Sequence, residues 1–145
     1  MSAREATDRV AIRDTLDRYN LAGDRGRLDD LAACFTEDGV LEIRDDWVAR
    51  GRAEIIQRLD SARAVFASPG HRPLVRHHLT THRAEFLSET ESRAWTYFLV
   101  ITATGPDHSG RYVDHLQKVA DSWLLSHRTV IVEWRTEGPK IPSAS

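Results

Sequence analysis

Apolar positions recur near helical spacing at the start of the chain. From Ala3 to Leu21, Val10, Ile12, Leu16 and Tyr19 stand among charged residues, which predicts an amphipathic helix with one buried stripe that Gly23 is placed to end. A short second helix is predicted over Leu28 to Phe35, with Leu28, Leu31, Ala32 and Phe35 along one side. The cluster Thr36-Glu37-Asp38-Gly39 then turns the chain into a brief strand, Val40 to Ile43. A third helix, Gly51 to Phe66, carries Ile55, Ile56, Leu59 and Ala62 and stops before Ser68-Pro69-Gly70. After Pro73 the period changes to two, and β-branched and aromatic residues become frequent. Four long strands follow, at about 74–86, 92–104, 110–119 and 123–134. Their linkers, Ser88-Glu89-Thr90-Glu91, Gly105-Pro106-Asp107-His108 and Ala120-Asp121-Ser122, are short enough to join antiparallel neighbours. Helices first and a meander afterwards is an α+β order. A strongly curved sheet wrapped around the helices would leave a pocket between its concave face and the first helices.

Composition narrows the function classes. A chain of 145 residues fits one domain with a sizeable core. The lone Cys34 has no partner for a bridge, a redox pair or a metal site, which fits a reducing, cytoplasmic setting. No stretch is long and apolar enough to span a bilayer, and MSAREATDRV is too polar for a signal peptide. The net charge of −2 comes from 20 basic and 22 acidic residues in mixed order, so neither nucleic acid nor membrane is expected as a partner. GxSxG, CxxC and a Gly-rich phosphate loop are all absent, which leaves acid–base chemistry or binding, with no cofactor expected.

The stretch VRHHLTTHR, from Val75 to Arg83, concentrates titratable side chains on a predicted strand. By strict alternation His78, Thr80 and His82 share one face, and His77, Leu79 and Thr81 the other. If the first row faces the pocket, His78 is a candidate base; if it faces water, it is a surface histidine. Asp24, just past the first helix, is either a turn residue or the carboxylate that fixes the tautomer of His78. Tyr19 lies on the helix's buried stripe, where its hydroxyl needs a partner. Tyr112 and Asp114 share a face of the third long strand, and Arg128 alternates with Val130 and Val132 on the last. Any of these can line the pocket or serve structurally, a buried Arg128 requiring a carboxylate such as Asp114 or Glu133. His77 and His78 point to opposite faces, and His78 and His82 lie about 13 Å apart at strand rise, so no metal site is expected.

Three stretches, YNLAGDRGRLDDLAACFTEDGVLEI, VRHHLTTHR and GRYVDHLQKVADSWLLSHRTVIVEW, resemble the SnoaL-like branch of the nuclear transport factor 2-like superfamily. These are cone-shaped α+β barrels that include scytalone dehydratase, ketosteroid isomerase and bile-acid 7α-dehydratase. The resemblance runs from roughly Glu5 to Trp134 and fits one barrel domain over residues 1–137, followed by a flexible tail over 138–145. Members that act as dehydratases or dehydrochlorinases pair an Asp at the end of the first helix with a His early in the following strand, positions matched by Asp24 and His78. The bile-acid dehydratase pattern adds a Tyr five residues before the Asp, matched by Tyr19. The second histidine of scytalone dehydratase falls near Thr102, a departure from that enzyme's site. The resemblance thus implies a cofactor-independent lyase or isomerase. His78 would be the base, Asp24 its partner and Tyr19 a hydrogen-bond donor, while Tyr112, Asp114 and Arg128, from their strand faces, and Thr102 are the residues expected to contact substrate. The expected substrate is a mostly apolar ring compound, a steroid, polyketide or aromatic. The closing segment also resembles the small subunit of aromatic-ring-hydroxylating dioxygenases, which serves assembly, and a non-catalytic binding module is a third alternative. A homodimer or higher homo-oligomer is expected, formed through a sheet face carrying Trp95, Tyr97, Leu99 and Ile101 or their opposite-parity neighbours.

Overall fold

Ser2 opens the first helix, its hydroxyl accepting a hydrogen bond from the Glu5 backbone N–H at 3.1 Å. Residues 1–64 and 73–138 are described by the structure, a computed structural model. Helix α1 (Ala3–Asp24) buries Asp8, Ile12, Leu16 and Tyr19 along one stripe, while the pairs Arg13–Asp17 and Asp14–Arg18 lie on its exposed side. It runs through Gly23 and ends at Gly26, whose φ of 72° lets Arg27 N–H reach back to the Ala22 carbonyl at 2.9 Å. Helix α2 (Leu28–Ala32) is shorter than the sequence suggests, because Phe35 already belongs to β1 (Phe35–Ile43) and pairs with Leu125. Long-range pairing overrides local helical spacing there. Next come β2 (Trp47–Arg50), a short hairpin partner of β1 that the sequence pattern did not announce, and α3 (Arg52–Ala64). The expected end of α3 near Phe66, the turn Ser68-Pro69-Gly70 and nearly all of the tail lie outside the described residues.

The expected four-strand meander is present as β3 (Val75–Phe86), β4 (Glu91–Thr102), β5 (Gly105–Val119) and β6 (Ser122–Arg135). Gly105 and Pro106 open β5, so the turn before it is tighter than expected. One sheet has the order β2-β1-β6-β5-β4-β3, antiparallel except where β1 runs parallel to β6. It is an α+β fold with a curved, unclosed sheet whose concave side holds α1. Four irregularities in the meander bend it, between Leu79 and His82, Val100 and Ile101, Ser109 and Gly110, and His115 and Leu116. At Gly110 a Cβ would meet the carbonyl oxygen of Ile131, so the close approach of β5 and β6 at their bulge requires glycine.

Tyr19, Phe35, Leu41, Phe98, Leu116 and Trp123 meet in the core between α1 and the concave face. On β4, Ala94, Thr96, Phe98 and Val100 point inward, which leaves Trp95, Tyr97, Leu99 and Ile101 on the convex face. Among the described residues no helix is long and apolar enough to cross a membrane.

Candidate active site

Strand β3 does not alternate strictly. Val75, His77 and Leu79 point inward, the register then shifts between Leu79 and His82, and His82, Ala84 and Phe86 point inward after it. Thr80 and Thr81 are both exposed at the bulge. The consequence is a correction: His78 lies on the exposed face, and the histidine that meets Asp24 is His77. Val75 and Leu79 carry the apolar parity of the strand's first half, so His77 shares their face, while Ala84 and Phe86 carry the opposite parity. That mismatch is the signal in the sequence, because both pairs can be buried only if a bulge separates them.

Asp24 grips His77 twice. One carboxylate oxygen lies 2.6 Å from Nδ1 and the other accepts the backbone N–H of His77 at 3.0 Å. Both side chains are nearly buried, at 11% and 7% exposure. A carboxylate can only accept, so Nδ1 carries a proton, and in the neutral ring the lone pair falls on Nε2. No hydrogen-bond partner for Nε2 exists among the described residues. Asp24 belongs to the last turn of α1, which fixes its position against β3.

Two aromatic rings along the concave face from this pair, past Phe98 and Tyr112, lies a buried cationic centre. The Arg128 Nε and Nη2 donate to the two Asp114 oxygens at 2.8 and 2.9 Å, both side chains being fully buried. They are register partners on β6 and β5. The guanidinium sits over the Tyr112 ring at 3.8 Å and the Tyr19 ring at 4.3 Å. Burial opposes the Arg128 charge, but Asp114 more than offsets it and holds the group firmly protonated. Burial pushes the Tyr19 phenol up to about 12, against the pull of Arg128, so it stays a hydrogen-bond donor at neutral pH. Tyr112 is shifted the same way for the same leading reason, and its hydroxyl accepts from Asn20 Nδ2 at 3.0 Å. The Tyr112 ring stacks on Phe98 at 4.7 Å, and Phe98 stacks on His77 at 6.5 Å. A run of flat side chains therefore links Arg128 to the Asp24–His77 pair. Arg128 Nη1 and Asn20 Oδ1, both buried, have no hydrogen-bond partner among the described residues.

Other expectations fare differently. Thr102 is inward but engaged in the β4–β5 turn, where its hydroxyl meets that of Thr104 at 3.1 Å. His82 Nδ1 lies 2.8 Å from the Thr96 hydroxyl, and burial lowers its basicity. Asp107 and His108, adjacent in sequence, are both buried because the β4–β5 bulge turns them to one side, and they pair at 2.7 Å. Sequence reasoning singled out neither this pair nor Asn20. Among the described residues, no three His, Cys, Asp or Glu side chains gather as metal ligands.

With that geometry established, known proteins offer a comparison. A family model described as a SnoaL-like domain matches residues 4–129. A candidate scytalone dehydratase from Novosphingobium aromaticivorans superposes with a TM-score of 0.80 at 25% identity, over 94% of this chain and 91% of that one. A protein from Catenulispora acidiphila, solved in complex with S-DNPA, superposes with a TM-score of 0.74 at 25% identity, over 88% of this chain and 94% of that one. The beta subunit of a candidate aromatic-ring-hydroxylating dioxygenase from Novosphingobium aromaticivorans matches with a TM-score of 0.72, over 96% and 98% of the two chains. At 17% identity that last likeness is one of fold. No curated protein matches the sequence.

Proposed function

The chain belongs to the SnoaL-like family, and from that premise we propose that it is a cofactor-independent lyase or isomerase in which His77, held by Asp24, removes a proton beside a carbonyl. The observation that carries this is the doubly anchored imidazole with Nδ1 on a carboxylate and an unpartnered Nε2. His77 Nε2 takes the proton, and Asp24 stabilises the imidazolium that results. The electron pair left on carbon moves into the carbonyl, and the developing oxyanion is held by Arg128 Nη1 with the protonated Tyr19 phenol beside it. Asp114 takes the Nε–Nη2 edge of the guanidinium, so Nη1 is the nitrogen left to offer. When the enolate collapses, a leaving group on the next carbon departs and His77 returns the proton to it; for a hydroxyl the product is water. Reprotonation at another carbon instead gives isomerisation.

The flat side chains between Arg128 and His77 suit an apolar ring compound such as a steroid, polyketide or aromatic. The Catenulispora relative's small-molecule complex supports the same use of the fold. An assembly-only subunit would give no role to a doubly held histidine with an orphaned Nε2, or to the orphaned buried atoms of Arg128 and Asn20. The protein is expected to self-associate as a dimer or higher oligomer by covering Trp95, Tyr97, Leu99 and Ile101.

The test uses a panel of cyclic β-hydroxy ketones headed by 3-hydroxy-1-tetralone, whose dehydration gives 1-naphthol and is followed by absorbance. Wild type should accelerate at least one member over buffer, and His77→Gln should lower that rate by roughly 10²–10⁴-fold. A His77→Gln rate within tenfold of wild type, or no acceleration across the panel, defeats the proposal.

A further inference from the structure

Asn20 is buried to 5% exposure on the inner stripe of α1, one helical turn before Asp24. Residues four apart on a helix stand over one another with Cβ atoms about 6 Å apart, so Asn20 shares the helix face of Asp24, one turn away from it. Its Nδ2 donates to the Tyr112 hydroxyl at 3.0 Å, and its Oδ1 accepts no hydrogen bond from any described residue. A buried carbonyl oxygen left without a donor is costly, so a group that supplies one is favoured. Arg128, whose guanidinium packs over a face of the same Tyr112 ring, carries a second orphaned atom of opposite kind, the donor Nη1. An acceptor and a donor therefore flank one aromatic side chain, Asn20 at its hydroxyl and Arg128 on its face.

We propose that Asn20 is a specificity-determining residue whose carboxamide oxygen accepts a hydrogen bond from a ligand hydroxyl about one ring away from the reacting carbon. The ligand class becomes a hydroxylated cyclic ketone, with its carbonyl at Arg128 and its distal hydroxyl at Asn20. This rests on the assignment of the carbonyl to Arg128 made above. It selects among apolar rings by a polar group, because a site built around a hydroxyl leaves its own acceptor stranded when the hydroxyl is absent.

Dissociation constants for 1-tetralone and its 5-, 6- and 7-hydroxy derivatives, measured by calorimetry, test this. At least one hydroxy derivative should bind wild type roughly tenfold more tightly than the parent ketone, about the worth of one added hydrogen bond. Asn20→Leu should erase that preference, and Asn20→Ser, which keeps a small acceptor, should retain part of it. Equal binding of all four ketones by wild type, as when a water alone meets Oδ1, overturns the proposal. So does a preference that survives in Asn20→Leu, or binding of none of the probes. Because the readout is affinity, a hydroxyl preference with no elimination in the earlier assay leaves Asn20 its role and removes the base assignment; elimination without a preference does the reverse.

Discussion

Removing the Asp114 carboxylate should destabilise the protein more than any surface substitution. Asp114 and Arg128 are each fully buried and joined by two hydrogen bonds of 2.8 and 2.9 Å. Asp114→Ala leaves a buried guanidinium with only the Tyr19 and Tyr112 faces for company. Breaking one side of such a pair costs about 3–5 kcal/mol, against a total stability on the order of 5–15 kcal/mol for a domain. At about 2–4 °C per kcal/mol for a chain of this size, Tm should fall by roughly 6–20 °C. Circular dichroism melts at neutral pH measure it. The double variant Asp114→Leu with Arg128→Met removes both charges and should recover most of the loss, because the cost lies in the unpaired charge and not in the absence of a salt bridge. A loss below about 3 °C for Asp114→Ala would show that Arg128 finds water or another carboxylate, and the picture of a rigidly aimed Nη1 would fall with it.

Gly110→Ala places a Cβ against the Ile131 carbonyl and should force β5 and β6 apart, lowering Tm by several degrees or abolishing soluble expression; an unchanged melt would contradict the close approach. Burial depresses the imidazoles of His82 and His108 below the ordinary value of 6.5, so the unfolded chain binds protons that the folded one refuses. Their contribution to stability is fully present above about pH 6.5 and declines as the pH falls from there toward the folded-state values. Tm should therefore be lower at pH 5 than at pH 7.5, with His82→Gln narrowing the gap, and an unaltered gap would remove His82 from the explanation.

Much of this architecture was legible in the chain. The helical stripe through Ile12, Leu16 and Tyr19, the change of period after Pro73 and the four-strand meander all appear, though β5 begins at Gly105, inside the stretch read as a linker. Asp24 was visible too, as an acidic residue where the first helix meets the sheet. What alternation alone could not carry was the effect of bulges. Counting by twos through Thr80 and Thr81 assigns His78 and His82 to one face, whereas the extra residue gives the inner face to His77 and His82. The same limitation hid Asp107 and His108, which sit side by side only because a bulge cancels their opposition. Asn20 escaped notice for another reason: a polar residue next to Tyr19 on a charged helix looks solvent-facing until the partner strand β5 supplies Tyr112. The expectation that Arg128 needs a carboxylate, by contrast, follows from charge burial alone, and Asp114 meets it.

The most direct measurement of the central claim is proton abstraction itself, read by NMR as deuterium uptake from D₂O at the carbon next to the carbonyl of 1-tetralone, for wild type, His77→Gln and His78→Gln side by side. These neighbours differ in little but the face they occupy. His77→Gln should slow uptake by roughly 10²-fold or more, and His78→Gln should stay within about threefold of wild type, as expected of an exposed side chain away from the site. A large loss in His78→Gln with His77→Gln unaffected would contradict that claim.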